Sequence, residues 1–230
     1  MPRLTTEEQK QRAAAAALVF VENRMTIGLG TGSTTAHFLQ LLSRAIKAGL
    51  QVTGVPSSIA TARLAKRLRI PLVEDSEQFG RIDLMVDGAD EVDTDLNLIK
   101  GGGGALAREK ILATRSDRVV IIVNERKMVG ELGRFRLPVE VLPFGWQSTK
   151  EMLRQLGARV SMRKVNGKPA LTDNRHYLLD CAFGRIADPD GLEFAIKRIA
   201  GVVEAGLFCG IADLVLSVGR DGEVNEHWAT

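Results

Sequence analysis

Along roughly the first half of the chain, short apolar runs alternate with longer amphipathic ones. Residues 6–22 read as a helix. It opens on Thr5-Thr6-Glu7-Glu8, a capping-box sequence in which the Thr5 hydroxyl meets the backbone N–H near Glu8. A short strand at 26–29 leads through a glycine turn into a helix at 34–48. A strand at 51–55 and a helix at 58–68 follow. Residues 71–73 and 83–87 are strand-like, 105–114 is helical, and 119–123 is an unbroken apolar run suited to a buried parallel strand. Strand and helix alternating in this way predict an α/β fold with a parallel sheet.

The texture changes near Gly133. Strand, helix, strand, strand, helix and strand are predicted at 139–142, 148–156, 158–162, 177–180, 191–200 and 202–207. That β-α-β-β-α-β order suits a small ferredoxin-like α+β unit. The stretch 164–174, with Asn166-Gly167, fits its central hairpin or loop, and 214–218 reads as a return strand for the first domain. The expected architecture is a Rossmann-like parallel sheet domain, residues 1–132 plus 213–230, with a small ferredoxin-like α+β domain inserted at 133–212.

Composition narrows the function classes. The chain has 230 residues, a net charge of +3 and 45% hydrophobic residues, ordinary values for a globular protein. So small a net charge is a weak pointer to nucleic acid. Trp146 and Trp228 are too few to form a stacking platform for single strands. Cys181 and Cys209 make no disulfide framework and read as reduced thiols packing as small hydrophobes, which favours a cytoplasmic setting. The apolar run 13–21 resembles a signal-peptide core, but Glu7 and Glu8 precede it and no small-residue cleavage site follows. No stretch approaches the ~20 apolar residues of a membrane span.

The charge is unevenly spread. Residues 23–73 carry Arg24, Arg44, Lys47, Arg63, Lys66, Arg67 and Arg69 and no acid. Within them, Gly28-Leu-Gly30-Thr31-Gly32-Ser33-Thr34 lies between a strand and a helix, where backbone N–H groups and the helix dipole favour an anion. A dinucleotide fingerprint would need a third glycine where Ser33 stands and an acid ~20 residues on, so NAD is disfavoured and phosphate favoured. No Gly-Lys-Ser/Thr completes a Walker loop.

Residues 74–95 invert the balance, with Glu74, Asp75, Glu77, Asp83, Asp87, Asp90, Glu91, Asp93 and Asp95 against Arg81. EF-hand spacing fails, since Leu98 and Gly104 fall where a glycine and an acid belong, and no histidine is near for zinc. Glu91, Asp93 and Asp95 read as a solvated acidic loop. Asp87 and Asp90 instead follow an apolar strand, at the sheet edge where ligands bind in open α/β folds. Lys100-Gly101-Gly102-Gly103-Gly104 then precedes the next helix. Lys100 is placed to face a developing oxyanion, and Glu109, about one turn into that helix, is a candidate base. His37, without a paired ligand, reads as a packing residue, and His176 and His227 as isolated.

Assembled, these segments resemble the type A family of ribose-5-phosphate isomerases. The matching pieces are the glycine loop 28–34, Val55-Pro-Ser-Ser58, Val86-Asp-Gly-Ala-Asp-Glu91, Lys100-Gly-Gly-Gly-Gly104 with Arg108-Glu-Lys110, Leu137-Pro-Val-Glu-Val141, Thr172-Asp-Asn174 and Gly206-Leu-Phe208, in family order through nearly the whole chain. The resemblance implies a cytoplasmic enzyme of the pentose phosphate pathway that interconverts ribose 5-phosphate and ribulose 5-phosphate without metal or organic cofactor. It implies a homodimer or a tetramer, with no nucleic acid or membrane partner. Glu109 is implied as the base moving a proton between C2 and C1. Asp87 and Asp90 would hold sugar hydroxyls, with Gly88 and Ala89 between them. Lys100 and the amides of Gly101, Gly102 and Gly103 would stabilise the oxyanion, and Thr31, Gly32, Ser33 and Thr34 would bind substrate, with Lys10 and Lys127 nearby. The chain departs from the family pattern at Asn124-Glu125-Arg126, ahead of Lys127. It also carries Arg136 where proline is usual and Arg175 where the hairpin glycine is usual. A sugar-phosphate sensor, a related deaminase and an acyl-CoA transferase are the alternative readings.

Overall fold

The computed structural model describes residues 3–73 and 79–229; Glu74, Asp75 and Glu77 of the acidic stretch lie outside the described residues. In chain order the elements begin α1 (Thr6–Leu18), β1 (Thr26–Leu29), α2 (Ser33–Lys47), β2 (Thr53–Pro56), α3 (Ile59–Arg67) and β3 (Leu84–Asp87). Next come β4 (Glu91–Val92), β5 (Leu98–Ile99), α4 (Leu106–Thr114), β6 (Val119–Asn124) and β7 (Leu137–Val141). They continue with α5 (Trp146–Gln155), β8 (Arg159–Met162), β9 (Lys164–Val165), β10 (Lys168–Pro169) and β11 (Tyr177–Ala182). The last are α6 (Pro189–Lys197), β12 (Val202–Ala205), β13 (Leu207–Phe208), β14 (Leu214–Val218) and β15 (Val224–Trp228).

The chain divides into two compact units, one of residues 1–89, 108–128 and 211–230, the other of 90–107 and 129–210. In the first, the described strands form a sheet in the order β15-β14-β6-β3-β1-β2, parallel except for β15. β6 reads Val-Val-Ile-Ile-Val-Asn and is buried throughout, as a central parallel strand covered on both faces must be. Helix α1 opens with the expected capping box: Glu8 N–H donates to the Thr5 hydroxyl at 3.3 Å and Thr5 N–H donates to Glu8 Oε2 at 2.7 Å. It ends at Leu18, short of the expected 22, because Phe20 and Val21 donate to carbonyls three residues back and tighten the chain into a turn. Ala13, Ala14 and Ala17 join Phe38, Leu39 and Leu42 of α2 in the core beneath the sheet. Each of the larger α2 side chains contributes about 1.5–3 kcal/mol by leaving water.

In the second unit, β12-β7-β11-β8 form an antiparallel sheet packed with α5 and α6. This is the ferredoxin-like strand order predicted from the β-α-β-β-α-β pattern. Asn166 (φ 51°) and Gly167 (φ 77°) turn the β9–β10 hairpin, the conformation that an Asn-Gly pair favours. Arg175 also takes positive φ, at 64°, so the chain keeps the turn that glycine would make and carries strain there.

Two expectations need correction. The strand at 202–207 is really two. β12 belongs to the four-stranded sheet and β13 to a small sheet ordered β13-β5-β4. The break falls at Gly206, where a side chain would collide with the Lys100 carbonyl and approach Pro138 to 2.9 Å. The strand-like 71–73 is reduced to a bridge between Gly54 and Leu72. The short β4 and β5 and the edge strand β15 carried no legible periodicity.

Candidate active site

In the first unit, β1 and β3 are parallel neighbours, with Leu29 opposite Val86. Both open at their carboxyl ends, one into the glycine loop and the other into Asp87. The sheet order reverses direction at this pair, β2 lying on one side of β1 and the later strands on the other. Such a switch point leaves a crevice at the strand ends. Asp87 is fully buried there. Its Oδ1 accepts from Thr31 N–H at 3.1 Å, Gly88 N–H at 2.7 Å and the Thr35 hydroxyl at 3.5 Å. A side chain at Gly30 would collide with the Asp87 carboxylate and reach to within 2.6 Å of its Cβ. Gly30 is therefore required by an aspartate 57 positions away, a relation that local sequence does not display.

The rest of the loop splits into two roles. The Thr31 hydroxyl lies within 2.8 Å of the Ser57 and Ser58 hydroxyls and 3.1 Å of Thr61 Oγ1, and Thr61 donates to the Gly30 carbonyl at 2.8 Å. This cluster braces the loop from beneath, and Thr61 was absent from the candidate residues. Gly32 is the N-cap of α2 and offers no side chain, so the first-turn amides at Ser33 and Thr34 have no side-chain cap. Uncapped amides at a helix start suit an anion. Lys10, on α1, pairs with Glu7 at 3.3 Å, and Glu7 also bonds the His37 ring at 2.6 Å. His37, followed by Lys10, holds the Glu7 carboxyl below the usual carboxylate range. His37 thus ties α2 to the helix bearing Lys10, beyond the packing role expected of it. Glu109 lies in the first turn of α4 and is only 2% exposed. Lys127 is half-buried in the 3₁₀ turn Glu125–Lys127, whose start Asn124 caps through its side chain to Arg126 N–H.

In the second unit, half-buried Asp90 accepts from Gly102 N–H at 2.8 Å. Lys100 is buried, with its ammonium 5.5 Å from the centre of the Phe208 ring. Its backbone N–H donates to the Gly206 carbonyl at 2.8 Å. Arg163 was not foreseen. It donates to the carbonyls of Gly101 and Gly102 at 3.0 and 3.1 Å and is anchored in turn by Asp180. Nothing near Arg163 in the sequence marks it, since its targets lie some sixty residues earlier.

The solvated-loop reading fails for Glu91 and Asp93. Both are buried because they serve backbone donors: Glu91 accepts from Gly133 and Phe135 N–H, and Asp93 from Asp95 and Asn97 N–H. Asp95 is exposed as expected. His176 and His227 are not isolated either; His176 Nδ1 lies 2.9 Å from Glu140, and His227 Nε2 lies 2.9 Å from the Ser217 hydroxyl. Cys181 is buried, and burial with the neighbouring Asp180 charge pushes its thiol up to about 12. Among the described residues, no group of three or more His, Cys, Asp and Glu side chains is placed to hold a metal ion, and no helix is long and apolar enough to cross a membrane.

A parallel α/β sheet with Asp87 and the 28–34 glycine loop at its switch point defines the class as an α/β protein of Rossmann-like form. Comparison with known proteins narrows this. The family described as ribose 5-phosphate isomerase A (phosphoriboisomerase A) matches residues 53–222. A ribose-5-phosphate isomerase A of Gloeobacter violaceus is 52% identical over 215 residues, covering 93% of each chain. That of Parvibaculum lavamentivorans is 48% identical over 225 residues, 95% of this chain and 96% of its own. A solved D-ribose-5-phosphate isomerase in complex with phospho-erythronic acid superposes with a TM-score of 0.94 at 43% identity, covering 98% of this chain and all of the other. The chain belongs to the ribose 5-phosphate isomerase A family.

Proposed function

We propose that this chain interconverts D-ribose 5-phosphate and D-ribulose 5-phosphate through an enediolate, with Glu109 as the base. The observation that carries the reading is a carboxylate, Glu109, only 2% exposed on the helix that follows Lys100 and the glycine run, in a chain of this family. The reaction moves one proton from C2 to C1 and one from O2 to O1 and is redox-neutral overall, so it needs no electron carrier. Glu109 takes the proton from C2 of the open-chain aldose, the electron pair forms the C1–C2 double bond, and O1 gains negative character. The hydroxyl proton passes from O2 to O1, and return of the first proton from Glu109 to C1, with the C2–O2 double bond forming, gives the ketose. A positioned base contributes about 10²–10⁴-fold to such a step. Lys100 and the amides of Gly101, Gly102 and Gly103 serve the oxyanion, where each well-aimed donor is worth about 3–4 kcal/mol. Asp87 and Asp90 orient sugar hydroxyls and assist ring opening, with Gly88 and Ala89 forming the turn between them. The phosphate belongs at the uncapped start of α2, with Gly32, Ser33 and Thr34, and Lys10 and Lys127 supply positive charge. A phosphorylated four-carbon aldonic acid carries a carboxylate where the enediolate oxygens form, so it should compete with substrate. The same reading divides the chain into a catalytic domain, 1–132 with 213–230, and a small domain, 133–212, in a cytoplasmic homodimer or tetramer.

Purified protein incubated with ribose 5-phosphate in EDTA should form ketose. Glu109→Gln should lower kcat by about 10³-fold, within the range for a lost general base, while circular dichroism stays unchanged. Near-normal turnover by that variant removes Glu109 from the role. Ligand binding without any isomerisation by the parent chain turns the reading to a sensor, and ammonia release from an amino-sugar phosphate turns it to a deaminase.

A further inference from the structure

The second unit carries an open cleft of about 880 Å³ that the isomerase reading does not use. Four arginines line it, Arg134, Arg136, Arg154 and Arg159, over a floor that includes Val160 and Ala182, and no carboxylate lines it. Arg154 pairs with Glu151 at 3.4 Å on the exposed face of α5. Arg134, Arg136 and Arg159 have no carboxylate partner among the described residues. Unpaired guanidinium groups gathered on one concave surface repel one another and favour a counter-anion.

The backbone that presents them is held from behind. Buried Glu91 accepts from Gly133 N–H at 2.8 Å and Phe135 N–H at 2.6 Å, and Ile186 N–H donates to the Leu132 carbonyl at 2.9 Å. Gly133 takes φ 113°, and a side chain there would collide with the Gly184 carbonyl, so the two segments lie in backbone contact. Phe135 and Leu137 pack into the core of the unit, which leaves Arg134 and Arg136 exposed between and before them. On β8, exposed Arg159 is followed by buried Val160. Two separate segments thus converge with fixed backbones, the arrangement that lets planar guanidinium forks meet phosphoryl oxygens in pairs.

We propose that this cleft binds a small polyanion bearing adjacent phosphoryl groups, of the class of a nucleoside triphosphate, with the oligophosphate spanning the arginines and the apolar floor open to the base. The volume lies within the usual range for small-molecule sites. The proposal does not depend on the isomerase reading, because none of its residues belongs to that site.

The test is calorimetric titration with inorganic tripolyphosphate, ATP, AMP and inorganic phosphate in turn, with ribose 5-phosphate present in excess to fill the sugar-phosphate site. Tripolyphosphate and ATP should bind, and AMP and phosphate should bind at least about tenfold more weakly, since fewer charges engage. Tighter binding of ATP than of tripolyphosphate assigns the apolar floor to a base; equal binding leaves the oligophosphate as the whole recognition element and overturns the nucleoside part. The double variant Arg136→Ala/Arg159→Ala should weaken tripolyphosphate by about tenfold or more and leave ketose formation unchanged. Arg136→Lys/Arg159→Lys, which keeps charge but loses the forks, should fall between. Arg198→Ala, outside the cleft, should bind as the parent does. Absence of tripolyphosphate binding at about 1 mM, or undiminished binding by the folded alanine double variant, overturns the proposal.

Discussion

The two glycine runs of this chain are each arranged around an aspartate, and the two aspartates are held differently. Asp87 is fully buried, takes N–H bonds from Thr31 and Gly88, and fills the space that any side chain at Gly30 would need, down to its own Cβ. Asp90 is half-buried, accepts from Gly102 N–H, and meets the position of a Gly102 side chain with its outer atoms, Oδ1 at 2.7 Å and Cγ at 3.0 Å. Two carboxylates three residues apart therefore differ in freedom. The first is a structural member of the β1–β3 junction that also faces a candidate ligand crevice. The second sits at its loop with room to turn. Burial and the number of backbone donors decide which it is, and neither can be judged from the shared Asp-Gly-Ala-Asp sequence.

The sharpest way to break this comparison is to remove each carboxylate charge. Asp87→Asn keeps an Oδ1 acceptor for the Thr31 and Gly88 N–H groups but removes the charge that strengthens both buried bonds, which should cost about 2 kcal/mol of stability as well as activity. Asp90→Asn should stay within about 1 kcal/mol of the parent while kcat falls. Urea midpoints alongside ketose formation separate the two; equal losses of stability would show that the aspartates are equivalent. A smaller contrast comes from the glycines. Gly30→Ala should cost about 1–3 kcal/mol, the usual range for overpacking, because the Asp87 Cβ cannot swing away. Gly102→Ala should cost less, because the Asp90 carboxylate can rotate aside.

Strain outside both runs gives an effect of opposite sign. Arg175→Gly should raise stability by about 1 kcal/mol, visible as a rise in Tm, since it relieves a left-handed backbone without disturbing either aspartate. The smallest effect concerns Glu7, a carboxylate on the surface rather than in a loop. Its pKa is lowered in the fold by His37 and then Lys10. Its contribution is therefore complete above the unfolded carboxylate pKa of about 4.3 and is lost as pH falls through the lower folded value. Glu7→Gln should flatten a small part of the acid limb of a Tm-against-pH curve. By removing the carboxylate that neutralises Lys10, it should also lower KM for the sugar phosphate, with kcat little changed.

Much of the frame was legible in the chain. The capping box at Thr5 and Glu8, the Asn166-Gly167 turn, the buried run of β6 and the β-α-β-β-α-β order of the second unit all rest on interactions within a few residues, or on a period of burial that repeats along the chain. The candidate site was legible as residue types at the ends of strands: a glycine loop, an Asp-Gly-Ala-Asp turn, a lysine before glycines and a glutamate on the next helix. What only the tertiary structure decided is why those residues are where they are. Gly30 is glycine because Asp87 packs on it, and Gly206 because the Lys100 carbonyl crosses it. The carbonyls of Gly101 and Gly102 are held by Arg163, and Glu91 is buried to grip the backbone at Gly133 and Phe135. Each pairing joins positions tens of residues apart. Periodicity and capping act over one turn of helix or one pleat of strand, whereas these partners meet only when separate strands are brought side by side.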